Sequence, residues 1–145
     1  MQILKKLARI YVKDMDSAIH FYKELTHDSM GRRFEMPQFK IEVASVGDLL
    51  IICGEEEHLA PFKKTTATFF VDSLDDFKNF LESNGAEILT GPSQVPTGRN
   101  MTVQHPDGTI IEYVEHFWWL NKVTLLFLGL GQPIYPFCPN LFFKP

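Results

Sequence analysis

The 145-residue sequence is short of several things. It has two cysteines, Cys53 and Cys138, too few for a disulfide framework and suited to a reduced, cytosolic compartment. It lacks a basic surplus: 14 Lys and Arg stand against 18 Asp and Glu, so the phosphate-binding footprint of a nucleic-acid partner is missing. The cationic start, MQILKKLARI, has no apolar run of the kind a secretory signal requires. No long uninterrupted apolar stretch is present either. Val123 to Phe143 is uncharged, but Pro133, Pro136 and Pro139 would break a helix repeatedly, and Gln132 and Asn140 interrupt it, so a membrane span is not expected.

What is present divides unevenly. Residues 117–145 carry two lysines and no acid, whereas residues 1–116 hold 12 basic and 18 acidic residues. Composition leaves open whether this apolar, Pro-rich tail packs on the domain, contacts a partner subunit or is an extension foreign to the fold. The length suits one domain with a sizeable core, spanning residues 1–116.

A repeat lies inside the acidic part. Shifted by 59 residues, Val12-Lys13-Asp14-Met15-Asp16 and Phe21 fall on Val71-Asp72-Ser73-Leu74-Asp75 and Phe80. Each segment follows a run of strand composition, Leu7 to Val12 and Thr66 to Val71, and each then turns helical. Met15, Ala18, Tyr22 and Leu25 have helical spacing, as do Leu74, Phe77 and Leu81. Asp14 and Ser73 are N-cap residues, and Asn84-Gly85 is a stop. Strand sequence follows: Phe34 to Val46, a Gly47-Asp48 turn and Leu49 to Cys53 in one half; Ala86 to Thr90, Arg99 to Gln104 and, beyond the turn at His105-Pro106-Asp107-Gly108, Thr109 to Val114 in the other. Two βαβββ modules, about 5–60 and 64–116, are predicted.

Val12 to Asp16 with Phe21-Tyr22, Gly98-Arg99-Asn100, and above all His105-Pro106-Asp107-Gly108 with Glu112 resemble the vicinal-oxygen-chelate superfamily, which includes glyoxalase I, extradiol dioxygenases, fosfomycin-resistance enzymes and bleomycin-binding proteins. The resemblance covers roughly residues 5–116 and implies an α+β fold: duplicated βαβββ modules forming a U-shaped mixed sheet around a cup, usually as a homodimer. Metal-dependent relatives place His, Gln or Glu at four strand positions. Here those positions read Leu7, Thr66, Glu112 and either Ile51 or Cys53. Only Glu112 is a good hard-metal ligand, so no metal site is expected, the alternative being a divalent ion near Glu112. His20, His27, His58, His105 and His116 lack ligand spacing, Cys53 has only apolar sequence neighbours, and Glu55-Glu56-Glu57 reads as a solvated loop.

Strand alternation assigns Arg9, Tyr11, Thr66, Thr68, Phe70, Arg99, Met101 and Glu112 to a ligand-binding lining, with Glu42 as a further acid. Pairing across the His105 turn is expected to set Met101 opposite Glu112, Val103 opposite Ile110 and Arg99 near Val114, making Arg99 the main anchor and Glu112 its partner. The alternative is an Arg99–Glu112 ion pair of purely structural value. Three functions follow: a metal-free small-molecule binder; a lyase, isomerase or dioxygenase with Glu112 as catalytic base or a displaced metal; or a subunit interacting through its tail. A homodimer with Phe117, Trp118 or Trp119 near its interface is expected.

Overall fold

The computed structural model describes residues 1–95 and 98–116. The tail 117–145 lies outside the described residues, as do the interface roles expected of Phe117, Trp118 and Trp119. Element order is β1 (Ile3–Val12), α1 (Met15–Thr26), β2 (Met30–Met36), β3 (Ile41–Val46), β4 (Leu49–Cys53), α2 (Glu56–Leu59), β5 (Thr65–Val71), α3 (Leu74–Ser83), β6 (Glu87–Val95), β7 (Gly98–Gln104) and β8 (Ile110–His116). This is an α+β chain of two βαβββ modules. Its compact units are residues 7–67 and residues 1–6 with 68–116.

In the first unit the strand order is β2-β3-β4-β1. β4 runs parallel to β1, with Ile10 beside Ile51, and antiparallel to β3. Asp14 starts α1 by accepting from the Ser17 N–H at 2.7 Å, and His27, in the left-handed region at φ 58°, ends it. Met15, Ala18 and Ile19 pack on Ala44, Val46 and Ile51. Leu25, expected on that face, is 61% exposed, and Ile19 takes an inward place beside Met15 and Ala18. The expected long strand from Phe34 to Val46 is two strands, β2 and β3, divided by a 3-10 turn at Pro37–Phe39. Proline's fixed φ and missing N–H favour a turn there over a continuous ladder.

The second face of this sheet is covered from within the unit. Leu59 of α2 is 2% exposed and packs with Ile41, Val43 and Ile52, joined by Tyr11, Leu50 and Phe62. The acid run read as a loop therefore opens a short helix whose Glu55, Glu56 and Glu57 face water while Leu59 plugs the sheet.

In the second unit the order is β5-β8-β7-β6. Ser73 caps α3 by accepting from the Asp76 N–H, and Leu74, Phe77 and Leu81 are buried beneath it. The strand expected to end at Thr90 is β6, which continues through Gly91-Pro92 to Val95 with two register shifts.

Gly98 starts β7 opposite His116. A Cβ there would stand 1.9 Å from the Glu115 carbonyl oxygen, a backbone atom that can move only if β7 and β8 separate. Gly98→Ala should therefore lower stability by about 3 kcal/mol, the upper end for a forced backbone shift. Gly108 at φ +87° has nothing within 4 Å, so Gly108→Ala should cost about 1 kcal/mol of conformational strain alone. Equal losses on urea denaturation would contradict this account.

Candidate functional site

The turn before β8 decides which side chains share a face. His105 donates its N–H to the Thr109 carbonyl at 2.8 Å, Gly108 to the His105 carbonyl at 2.9 Å, and Asp107 accepts from the Thr109 N–H at 2.9 Å. Thr109 thus belongs to the turn, and the first ladder pair is Gln104 with Ile110. The register is one residue away from expectation. Met101 pairs with Tyr113, Val103 with Ile111, Arg99 with Glu115 and Asn100 with Val114. A one-residue slip moves every side chain to the opposite face.

Glu112 consequently pairs with Thr102 rather than Met101. Its carboxylate accepts from the Asn100 amide at 3.0 Å and from the Thr68 hydroxyl at 3.2 Å. Thr68 is buried, whereas Asn100 and Glu112 are half-buried. Of the expected lining, this brings together Thr68 and Glu112. Phe70, on the same side of β5 by alternation, stacks edge-on against His116 at 4.9 Å. Asn100 was missed as a site residue, although it stands in the quoted Gly98-Arg99-Asn100 segment; the correct register would have found it.

Arg99 and Met101 lie on the other face, beneath α3. Met101 is 1% exposed and is core. Arg99 does not pair with Glu112: its guanidinium donates to Asp75 at 2.8 Å and to the buried Glu115 at 3.1 Å. Glu115 also accepts from the Leu74 N–H at 2.6 Å, tying the first turn of α3 to β8. The expected role of Arg99 as ligand anchor gives way to a scaffold role.

The remaining candidates belong to the first unit. Arg9 pairs with Leu50 and Tyr11 with Ile52, on the face turned away from α1. The Tyr11 hydroxyl lies between the carbonyls of Phe62 and Thr65, 2.7 Å from the latter, and donates its single proton there. Tyr11 therefore holds the α2–β5 connection. Thr66 is exposed. The position left open between Ile51 and Cys53 is corrected on both counts, because both pack on the α1 side. Gly47 opens a two-residue turn, with Val46 opposite Leu49, whereas Gly108 is the fourth residue of a five-residue one, so positions equally far beyond the two glycines, Ile51 and Glu112, face opposite ways. Burial pushes the Cys53 thiol up, and Glu42 and Asp14 add to this.

Among the described residues no group of three His, Cys, Asp or Glu side chains could hold a metal ion. Glu112 has an amide and a hydroxyl beside it, a donor set that does not make a tight transition-metal site.

Residues 4–113 match the family model of the Glyoxalase/Bleomycin resistance protein/Dioxygenase superfamily. The chain belongs to that superfamily. An uncharacterized protein from Methanosarcina mazei is 59% identical, over 80% of this chain and 94% of that one, with a TM-score of 0.75. Two more distant structures share the fold. Methylmalonyl-CoA epimerase from Mycobacterium tuberculosis is 20% identical over 79% of this chain and 89% of its own, with a TM-score of 0.62. A variant of the Streptomyces coelicolor methylmalonyl-CoA epimerase, in complex with 2-nitronate-propionyl-CoA, is 14% identical over 79% of this chain and 99% of its own, with a TM-score of 0.59. No curated protein matches.

The Arg99 assignment has a measurable consequence in this superfamily member. Arg99→Ala leaves the Glu115 carboxylate, 8% exposed, without its cation, and should lower unfolding free energy by about 2 kcal/mol. Asp75→Ala removes a carboxylate that is 66% exposed and should cost under about 1 kcal/mol. Denaturation midpoints test both; an unchanged midpoint for Arg99→Ala would return the residue to the ligand-binding set.

Proposed function

We propose that the chain binds a small molecule against the face of the β5-β8-β7-β6 sheet that carries Glu112, and that it does so without a resident metal. The Glu112 carboxylate, oriented at mid-strand by Thr68 and Asn100, is the observation that carries this reading. A carboxylate held by two donors from two neighbouring strands presents a fixed direction to an incoming N–H or O–H group, so the orientation is established before the ligand arrives. The superfamily relationship supports it, since the Streptomyces coelicolor relative is in complex with a coenzyme A ester. A fragment screen by ligand-observed NMR should give hits that depend on this cluster. Glu112→Ala should weaken them by about 1.5–3 kcal/mol, the range for a charge-assisted hydrogen bond. Hits that bind Glu112→Ala undiminished would sink the proposal.

A second reading makes the same carboxylate a general base in an isomerase, removing a proton α to a carbonyl. Its support is that Glu112 is held in place rather than left to rotate, and that epimerases share the fold. Exchange of the α-proton of propionyl-CoA into D2O, abolished by Glu112→Gln, separates catalysis from binding.

We further propose a homodimer, because β2 and β6 end their strand orders and exposed backbone edges favour association. Sedimentation at micromolar concentration should show the dimer; a monomer removes the proposal.

A further inference from the structure

On the α3 side of the second unit, away from Glu112, a groove of about 440 Å³ runs between the helix and the His105 turn. Phe77, Phe80, Leu81 and Pro106 are among its walls, and Tyr113 lies at its base. Tyr113 is 3% exposed, and its hydroxyl meets His105 Nε2 at 2.8 Å. Ring contacts fix it from two sides: Phe69 edge-on at 5.7 Å and Phe77 tilted at 5.7 Å. Burial holds the phenol protonated, with its pKa pushed up to about 12.

The volume falls within the range of small-molecule pockets, and apolar walls with a few converging polar groups are the usual makeup of one. The sign of the charge narrows the ligand. No Lys or Arg is among the lining residues, whereas Asp107 is at the rim, exposed, with its carboxyl held below the usual carboxylate range by the Thr109 N–H. Phe80 is 49% exposed beside it, a large apolar ring left facing water. An anion would meet Asp107 unfavourably. A purely apolar molecule would leave the Asp107 carboxylate unused.

We propose that this groove is a second binding site, for a planar aromatic amine. The ring lies among Phe77, Phe80, Leu81 and Pro106, and the ammonium group meets Asp107 and the negative faces of the phenyl rings. The side chains of Pro106 and Asp107 then have a use beyond closing the β7–β8 turn.

Tryptamine is the probe. Titrated into the full chain and followed by amide NMR, it should saturate and shift Phe77, Phe80, Asn84, His105 and Tyr113. Indole-3-acetate, with the same ring and opposite charge, should bind at least about tenfold more weakly, as expected for losing a charge-assisted contact. Asp107→Asn keeps an oxygen for the Thr109 N–H and removes the charge, so it should weaken tryptamine by a similar factor. Phe80→Ala, at a position already half in water, should fold normally by circular dichroism and weaken both ligands. Glu112→Ala should leave tryptamine binding unchanged, which keeps this site's failure separate from failure of the Glu112 reading. No saturation below about 5 mM, an affinity of barely 3 kcal/mol, would overturn the proposal. So would shifts centred on Glu112, or equal affinity for the two indoles.

Discussion

One guanidinium in each module ties the first turn of the helix to the sheet beneath it. In the second module Arg99 of β7 reaches both Asp75, the second residue of α3, and Glu115 of β8. In the first module the 59-residue offset puts Asp16 at the same helical place, again an acid in the first turn. The β3 residue paired with β4 there is Glu42, facing Cys53, where the second module has Arg99 facing Glu115. Glu42 and Asp16 would repel. Arg33, supplied by the edge strand β2, stands between them and bonds to both. The charges on the strands are exchanged between the modules, yet each helix start is fixed by an acid–Arg–acid bridge. The two bridges differ in strength. The helix acids Asp75 and Asp16 are both exposed, but the strand acid Glu115 is buried and also accepts from the α3 backbone, whereas Glu42 is 25% exposed, where solvent screens the pair more.

That bridge determines the chemistry available on the opposite face. Arg99 and Glu115 are cross-strand partners on the α3 side, so their neighbours Asn100 and Val114 must face the other way. Glu112 then has the Asn100 amide beside it, while Arg99 lies on the opposite face. Next to Asn100 and Thr68 the carboxylate gains a fixed orientation. The five-residue turn at 105–109 and the bridge beneath α3 enforce the same register from opposite ends of β8.

Elements with strong local signals were legible in the sequence. Asp14 and Ser73 mark the helix starts because capping chemistry is local, and the starts at Met15 and Leu74 follow. Gly47-Asp48 and the Leu49–Cys53 strand are read directly, since a two-residue turn leaves one register. Facing was not legible where it depended on turn length. His105-Pro106-Asp107-Gly108 announces a turn, but whether Thr109 joins it depends on Asp107 accepting the Thr109 N–H, and one residue of error exchanged Arg99 and Met101 for Asn100 and Thr102. The cover over the first module was equally hidden. Glu55-Glu56-Glu57 signals solvent correctly, while the lone Leu59 after it carries no periodic pattern that would reveal a plug.

The two modules use their sheet faces differently. In the first module both sheet faces are occupied by the unit's own chain: α1 covers Ala44, Val46 and Ile51, and α2 with its connection covers Ile41, Val43 and Ile52. Tyr11 secures that cover through its hydroxyl, because a detached connection would expose two backbone carbonyls and an apolar sheet face together. Apolar surface covered in this way stabilises the fold. In the second module the face turned from α3 bears Thr68, Asn100, Thr102 and Glu112. Polar side chains on a sheet face weaken a core, and their hydrogen bonding to one another offsets only part of that loss. On the proposed reading that loss is offset by the fixed orientation the cluster gives to Glu112.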